Sequence, residues 1–332
     1  MMHFCTLFDS YYLLKGLGLY KSLESVCDDF HLYVMAFDRG SYEKLLSFGF
    51  EHMTVELLDD FETPQLLEAK KDRTKAEYCW TCGPSVIYHF LTKYGLDEIT
   101  YLDSDLFFLA DPEIIRQEAG DSSVVITEQG AGEVFVERYG RYCVQYMTFR
   151  NDADGLGALT WWRDRCIEWC YQIMEPNRYA DQKYIDEFPK RWKHVHVVQN
   201  KGVGIAPWNM DSFRYRENSL TYKGKEYPLV FYHMHGVKID IEDEVLMVRS
   251  LDFKLGADAQ RLFYRPYAAL LTSILNDYFG KQLKGFVIKD LSFWKGIEYR
   301  LRTWVKKQKW ITDIYFRYFH KRIERGHGSL IA

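Results

Sequence analysis

Asp103 and Asp105 carry the most specific chemistry in the chain. They close the apolar run Ile99-Thr100-Tyr101-Leu102 in the segment Tyr101-Leu102-Asp103-Ser104-Asp105-Leu106-Phe107-Phe108. Residues two apart on an extended chain point to one side, so both carboxylates can reach one hard divalent cation. A cation held by two carboxylates keeps positions open for the oxygens of a diphosphate. An isolated acidic pair at a strand end often only caps the next turn. Here the apolar approach, Ser104 between the acids and the exit Phe107-Phe108-Leu109-Ala110-Asp111-Pro112 favour a ligand site at the carboxyl end of a strand. Other candidates are weaker taken singly. His233 and His235 alternate along the apolar Leu229-Val230-Phe231-Tyr232 run, where a histidine is commonly a core residue. His194 and His196 alternate in the same way without a motif and read as structural, and Asp181 stands where it could cap a helical run. The seven cysteines are scattered and odd in number, which fits reduced thiols. Cys79-Trp80-Thr81-Cys82 and the Cys166/Cys170 pair lack the further ligands at the spacing a zinc site needs, and they read as buried side chains.

The elements that must position these acids follow the rhythm of an α/β sheet. Strands are predicted over 3–8, 31–37, 53–58 and 97–103. Helices are predicted over 12–27, 41–48 and 78–94, the last opening near Thr74 and Glu77. Trp161, Trp162 and Trp169, at helical spacing with Cys166, are expected in the core. The chain has 332 residues, 47% apolar and 27% charged, enough for a large domain with an appendage, and disorder is excluded. No apolar run approaches the roughly 20 residues of a spanning helix. The N-terminus shows no basic region followed by an apolar core, so a cytoplasmic chain is expected.

Several motifs together resemble the nucleotide-sugar transferases of GT-A fold, and among them the retaining glycosyltransferase family 8, which includes glycogenin and bacterial lipopolysaccharide galactosyltransferases. Asp103-Ser104-Asp105 resembles their DxD. Thr6-Leu7-Phe8-Asp9-Ser10-Tyr11 resembles their first strand and turn, and Arg73 with Glu77-Tyr78-Cys79-Trp80-Thr81 the segment whose basic residue reaches the donor diphosphate. Ala180-Asp181-Gln182-Lys183-Tyr184-Ile185 resembles the DQ motif, and His233-Met234-His235-Gly236 the HFxG motif. Order and approximate spacing agree across residues 3 to 238. The resemblance implies a GT-A α/β/α domain over about 1–245 and Mn²⁺ or Mg²⁺ held by Asp103, Asp105 and His233, a histidine ligand favouring Mn²⁺. It further implies nucleotide-sugar contacts from Thr6, Phe8, Asp9, Tyr11, Arg73, Asp103, Ser104, Gly236 and Lys238, and Asp181 and Gln182 beside the transferred sugar as the catalytic pair. Trp208 and Asn209, in Gly204-Ile205-Ala206-Pro207-Trp208-Asn209, are the acceptor-side candidates. The chain departs from the family at Tyr142-Cys143-Val144-Gln145-Tyr146-Met147, where relatives carry Asn-x-Gly. It departs again after Gly236, where Lys238 stands one position early and the following Pro-Trp is missing.

Charge sets the C-terminal end apart. From Lys281 onward there are 13 Lys or Arg against four acids, whereas the whole chain carries −4. Ile297, Leu301, Trp304, Ile311, Ile314 and Tyr318 recur as one stripe of a helix among those cations. Residues 246–332 are therefore expected to be helices ending in a basic amphipathic tail, with 281–325 lying on an anionic membrane surface. The alternative is a stripe packed on the main domain with a solvated basic face. Nucleic acid is excluded as a partner by the acidic total and the lack of a nucleic-acid motif. The expected activity is metal-dependent, retaining transfer from a nucleotide-sugar, most simply a UDP-sugar, to a saccharide acceptor on a lipid-linked glycan or lipopolysaccharide. The alternatives are an inverting transferase or nucleotidyltransferase of the same fold, with Glu128 or Asp186 as base, or a non-catalytic membrane-surface module.

Overall fold

The computed structural model describes residues 1–250 and 253–290. Its first part alternates as predicted, with one further helix, α3: β1 (Met2–Phe8), α1 (Leu13–Glu24), β2 (Phe30–Ala36), α2 (Arg39–Phe48), β3 (Met53–Leu57), α3 (Pro64–Lys70), α4 (Lys75–Lys93) and β4 (Glu98–Leu102). The chain continues through β5 (Leu106–Phe108), α5 (Glu113–Ala119), β6 (Val124–Glu128), α6 (Glu133–Tyr139), β7 (Tyr142–Arg150), α7 (Ala153–Glu168), α8 (Phe188–Arg191) and β8 (Val195–Val197). Seven of these strands form one sheet in the order β3-β2-β1-β4-β7-β6-β8. β3, β2, β1 and β4 run parallel, and β7 is antiparallel to both β4 and β6.

Alternation along the strands divides the core into two layers. Phe4 and Phe8 of β1 with Leu32 and Val34 of β2 face the side covered by Leu17 and Tyr20 of α1. Cys5, Leu7, Tyr33 and Met35 face Val86 and Phe90 of α4 and Trp162 of α7. This is the period of two expected of an extended chain between two helical layers. The start of α4 is fixed by a capping box: the Thr74 hydroxyl accepts from the Glu77 N–H, and the Glu77 carboxylate accepts from the Thr74 N–H.

The remaining chain adds three small sheets. β9 (Arg214–Tyr215), β10 (Ser219–Tyr222) and β11 (Lys225–Pro228) form an antiparallel meander. β12 (Phe231–His233) pairs antiparallel with β5, so that His233 lies opposite Leu106. β13 (Val237–Glu242), β14 (Val245–Ser250) and β15 (Gly285–Lys289) make the third, with β14 in its centre. Before β15, a short turn of helix α9 (Ala257–Ala259) and a π-helical turn run into α10 (Arg265–Phe279).

This corrects the expectation of an all-helical segment after 245. The stretch 245–250 is strand, the helix occupies 257–279, and 285–289 is a strand parallel to β14. Val237–Glu242 and Val245–Ser250 read as strands once the tight turn at Asp243 and Glu244 is seen, both at positive φ. The amphipathic stripe over 297–318 lies outside the described residues. Among the described residues no helix is long and apolar enough to cross a membrane.

Candidate active site

The first three parallel strands end together at Phe8, Ala36 and Leu57, and β4 ends beside β1 at Leu102. The strand order reverses between β1 and β4, the place where open α/β sheets bind ligands. Asp103 follows β4 directly, its N–H donating to the Gln145 carbonyl at 3.0 Å, and its own carbonyl accepts from the Leu106 N–H. That turn sends Asp105 into β5. The β5–β12 register then delivers His233, and the Met234 N–H donates to the Asp105 carbonyl at 2.8 Å. Nε2 of His233 consequently lies 3.0 Å from Asp105 and 3.7 Å from Asp103. One ligand atom from each of the three residues falls within 4.8 Å of the others, and a set of two carboxylates and an imidazole suits a divalent cation.

The remaining groups tune this cluster. Nδ1 of His233 is 2.8 Å from Oε1 of Gln145. An amide oxygen can only accept, so Nδ1 bears a proton. Gln145 is fully buried on β7. Gly204, at φ +78°, leaves it room, for a β-carbon there would sit 2.6 Å from the Gln145 amide nitrogen. The Tyr101 hydroxyl donates to Asp103 at 3.2 Å. Burial and the neighbouring Asp105 push Asp103 up to about 6, against the pull of His233. Asp105 is held far below the usual carboxylate range, because the attraction of His233, their hydrogen bond and Lys15 outweigh its burial. His233 is raised well above an ordinary histidine by Asp105, although burial opposes this. Asp181, buried and exposed to the field of Asp103, is pushed up to about 8.

The structure sorts the other candidates. Ser104 is buried between the two acids, and Thr6 is buried on β1 with its hydroxyl unpartnered. The Phe8 ring packs over Gly16 as part of the core. Asp9 caps the turn after β1 by accepting from the Tyr12 N–H, and it pairs with Lys75. Tyr11 is exposed, its ring edge-on to Tyr12. Gly236 takes a positive φ of +70° in the turn after His233.

Two expected cations are engaged elsewhere. Arg73 donates to the Thr81 hydroxyl and the Ile167 carbonyl and lies over Tyr171, tying α4 to α7. Lys238, half exposed on β13, has its ion pair with Asp240 at 3.6 Å. The Gln182 amide donates to the Tyr139 carbonyl. Asn209 is held by backbone alone, donating to the Gln129 and Gly204 carbonyls and accepting from Ala206. Trp208 turns ring edges toward His233 and His235, at centroid distances of 5.6 and 5.3 Å. Glu128 pairs with Lys201, and Asp186 accepts from the Arg141 N–H.

Two residues were missed. Lys15 of α1 is 5% exposed, with its ammonium 3.8 Å from Asp105 and 4.2 Å from the centre of the Tyr12 ring. Gln145 orients the histidine. The signal for each was a lone polar residue in an apolar run: Leu13-Leu14-Lys15-Gly16-Leu17 and Val144-Gln145-Tyr146-Met147.

The three-layer sheet and the Asp-Ser-Asp turn at its switch point define a GT-A fold, the α/β/α fold of nucleotide-sugar transferases. A solved structure with this fold, the galactosyltransferase LgtC in complex with donor and acceptor sugar analogues, superposes with a TM-score of 0.51 at 12% identity, over 82% of this chain and 96% of that one. The chain belongs to the family of the uncharacterized protein YfnD of Bacillus subtilis (strain 168), with which it shares 35% identity over 272 residues, 80% of this chain and 87% of YfnD. A second similar protein, the uncharacterized YfnF of the same organism, is 28% identical over 262 residues, 74% of this chain and 85% of YfnF. No protein-family model matches the sequence.

Proposed function

We propose that the chain is a metal-dependent, retaining glycosyltransferase that moves a hexose-type sugar from a nucleotide-sugar, most simply a UDP-sugar, to a saccharide acceptor. The observation that carries this is the convergence of Asp103, Asp105 and His233 at the switch point of a GT-A sheet. These residues would hold a divalent cation, whose charge would stabilise the leaving diphosphate. The imidazole in the set favours Mn²⁺ over Mg²⁺.

The chain's own groups divide the remaining work. Gln145 fixes the histidine tautomer that leaves Nε2 directed at the two acids. Asp181 lies in the field of Asp103, and burial together with that field raises its carboxyl. It is the candidate to face the sugar as positive charge develops there. Trp208, beside His233 and His235, offers an aromatic wall for a saccharide. The structural likeness to a galactosyltransferase holding donor and acceptor analogues supports this donor and acceptor class. The charge of residues 281–332, 13 cations against four acids, supports an acceptor carried on an anionic membrane, such as a lipid-linked glycan or lipopolysaccharide met from the cytoplasmic side.

Calorimetric titration with UDP, GDP and CMP, with and without Mn²⁺, tests the proposal on the natural chain and on Asp105→Ala. Binding of one nucleotide that requires Mn²⁺ and disappears in the variant is the expected result. No metal-dependent binding of any nucleotide would overturn the transferase function and leave a membrane-surface module in its place.

A further inference from the structure

The GT-A site as described holds two carboxylates and a histidine, while Arg73 is bonded to Thr81 and the Ile167 carbonyl and Lys238 is paired with Asp240. We propose that Lys15 is the cationic residue that contacts the donor's diphosphate. The inference rests on the transferase function proposed above.

Burying an ammonium is costly unless its three N–H donors find acceptors. Among the described residues, two lysines are less than a tenth exposed, Lys15 and Lys183. Lys183 is satisfied by backbone: its Nζ lies 2.6 Å from the Glu137 carbonyl, 3.2 Å from that of Glu175 and 3.5 Å from that of Arg138. Lys15 has no such set. Its partners are the Asp105 carboxylate at 3.8 Å, beyond hydrogen-bond reach, and the face of the Tyr12 ring at 4.2 Å. Both partners attract positive charge, yet neither takes up the N–H groups. An ammonium held by loose attractions beside one of the acids of a cation site is ready for a ligand rich in oxygen acceptors.

The charge arrangement selects that ligand. A dication bound by Asp105 would share the counter-ion that Lys15 now has, leaving two positive centres side by side. An anion with several oxygens that meets the metal and the ammonium together removes the repulsion, and a diphosphate has that shape and charge. Placement agrees: Lys15 lies in the first turn of α1 with its ammonium 3.8 Å from Asp105, which follows β4, and Gly16 beside it is packed under Phe8 so that the turn is held in place. If Lys15 were only a counter-ion for Asp105, its loss would ease metal binding and leave nucleotide binding unchanged.

The test is calorimetry on the full chain and on Lys15→Met and Lys15→Arg, each first shown to be folded by its melting curve. Mn²⁺ is titrated alone, and then UDP and uridine at saturating Mn²⁺. The expected signature has opposite signs. Lys15→Met binds Mn²⁺ as well as or better than the natural chain, yet loses roughly 10- to 100-fold in UDP affinity, the scale of one charged hydrogen bond. Uridine binding is unchanged, and Lys15→Arg recovers part of the UDP affinity. UDP affinity in Lys15→Met within twofold of the natural chain would overturn the assignment while leaving the transferase function intact. Should Lys15→Met fail to fold, the same twofold criterion applies to Lys15→Gln. A natural chain that binds no nucleoside diphosphate with Mn²⁺ would remove both.

Discussion

Asp181 shows how a single side chain reports its surroundings. The residue is 8% exposed and its carboxyl lies in the field of Asp103, and burial and that field push it up to about 8. An unfolded aspartate titrates near 3.9. The native state therefore keeps a proton that the unfolded state has lost over the interval between. The resulting stabilisation is complete below about pH 4 and is lost as pH rises through about 8. Asp103, raised to about 6, adds a smaller effect of the same sign. In metal-free protein, Asp181→Asn is expected to match the natural chain in stability near pH 4 and to exceed it by several kcal/mol at pH 9, where the native state must hold a buried, ionised carboxylate. Melting temperatures measured from pH 4 to 9 check this, and parallel curves for the two proteins would refute it. The sequence located Asp181 through a motif, but its titration depends on Asp103, 78 positions away in the chain, and no local pattern carries that.

At the scale of elements, three strands meet on one glutamine. The Gln145 backbone carbonyl accepts from Asp103 at the end of β4, and its side chain meets His233 at the end of β12. Gln145→Leu keeps the volume but removes the acceptor for Nδ1, so His233 is free to take the other tautomer and turn. Divalent-metal affinity should fall by roughly 10- to 100-fold, as for other groups that orient a ligating histidine. Gly204→Ala should act in the same direction by crowding the same amide. Mn²⁺ titration measures both, and affinity in Gln145→Leu within twofold of the natural chain would show that the strands alone hold the imidazole. The sequence was legible here where the signal is local. The Thr74/Glu77 capping box, the alternating strands from β1 to β4 and the Asp-Ser-Asp turn all depend on neighbours a few residues apart. The basic head of Arg73 could be read from the sequence, but its partners, Thr81 and the Ile167 carbonyl, could not, because Ile167 lies 94 positions away. Likewise, the sequence does not show that the Asn209 amide donates to the carbonyls of Gly204, five residues back, and of Gln129, 80 residues back.

At the scale of the whole molecule, the helical stretch 257–279 acts as the backing of the site. Phe263 stacks on Tyr232 at 4.2 Å and 18°, and Tyr232 immediately precedes His233. Tyr267 of α10 meets Phe107 edge-on at 5.5 Å, two residues beyond Asp105, and also packs against Gly18 on α1. Phe263, Tyr264, Tyr267, Ala268 and Leu271 share one apolar core with Phe4, Phe8 and Leu17 of the first elements. The short β5–β12 pair, which carries both Asp105 and His233, thus owes its position to a helix that comes after it in the chain. Phe263→Ala removes the stacked ring from this backing and should cost about 3–5 kcal/mol, as large-to-small changes in a packed core do. Because one core runs from β1 to α10, the loss should appear as a single cooperative transition shifted to lower temperature, with Mn²⁺ affinity falling in the protein that remains folded. Calorimetric melting with and without Mn²⁺ separates the possibilities. Two transitions, with the metal raising only the earlier or only the later one, would mean that the C-terminal elements form a separate unit and that the β5–β12 pair stands without them.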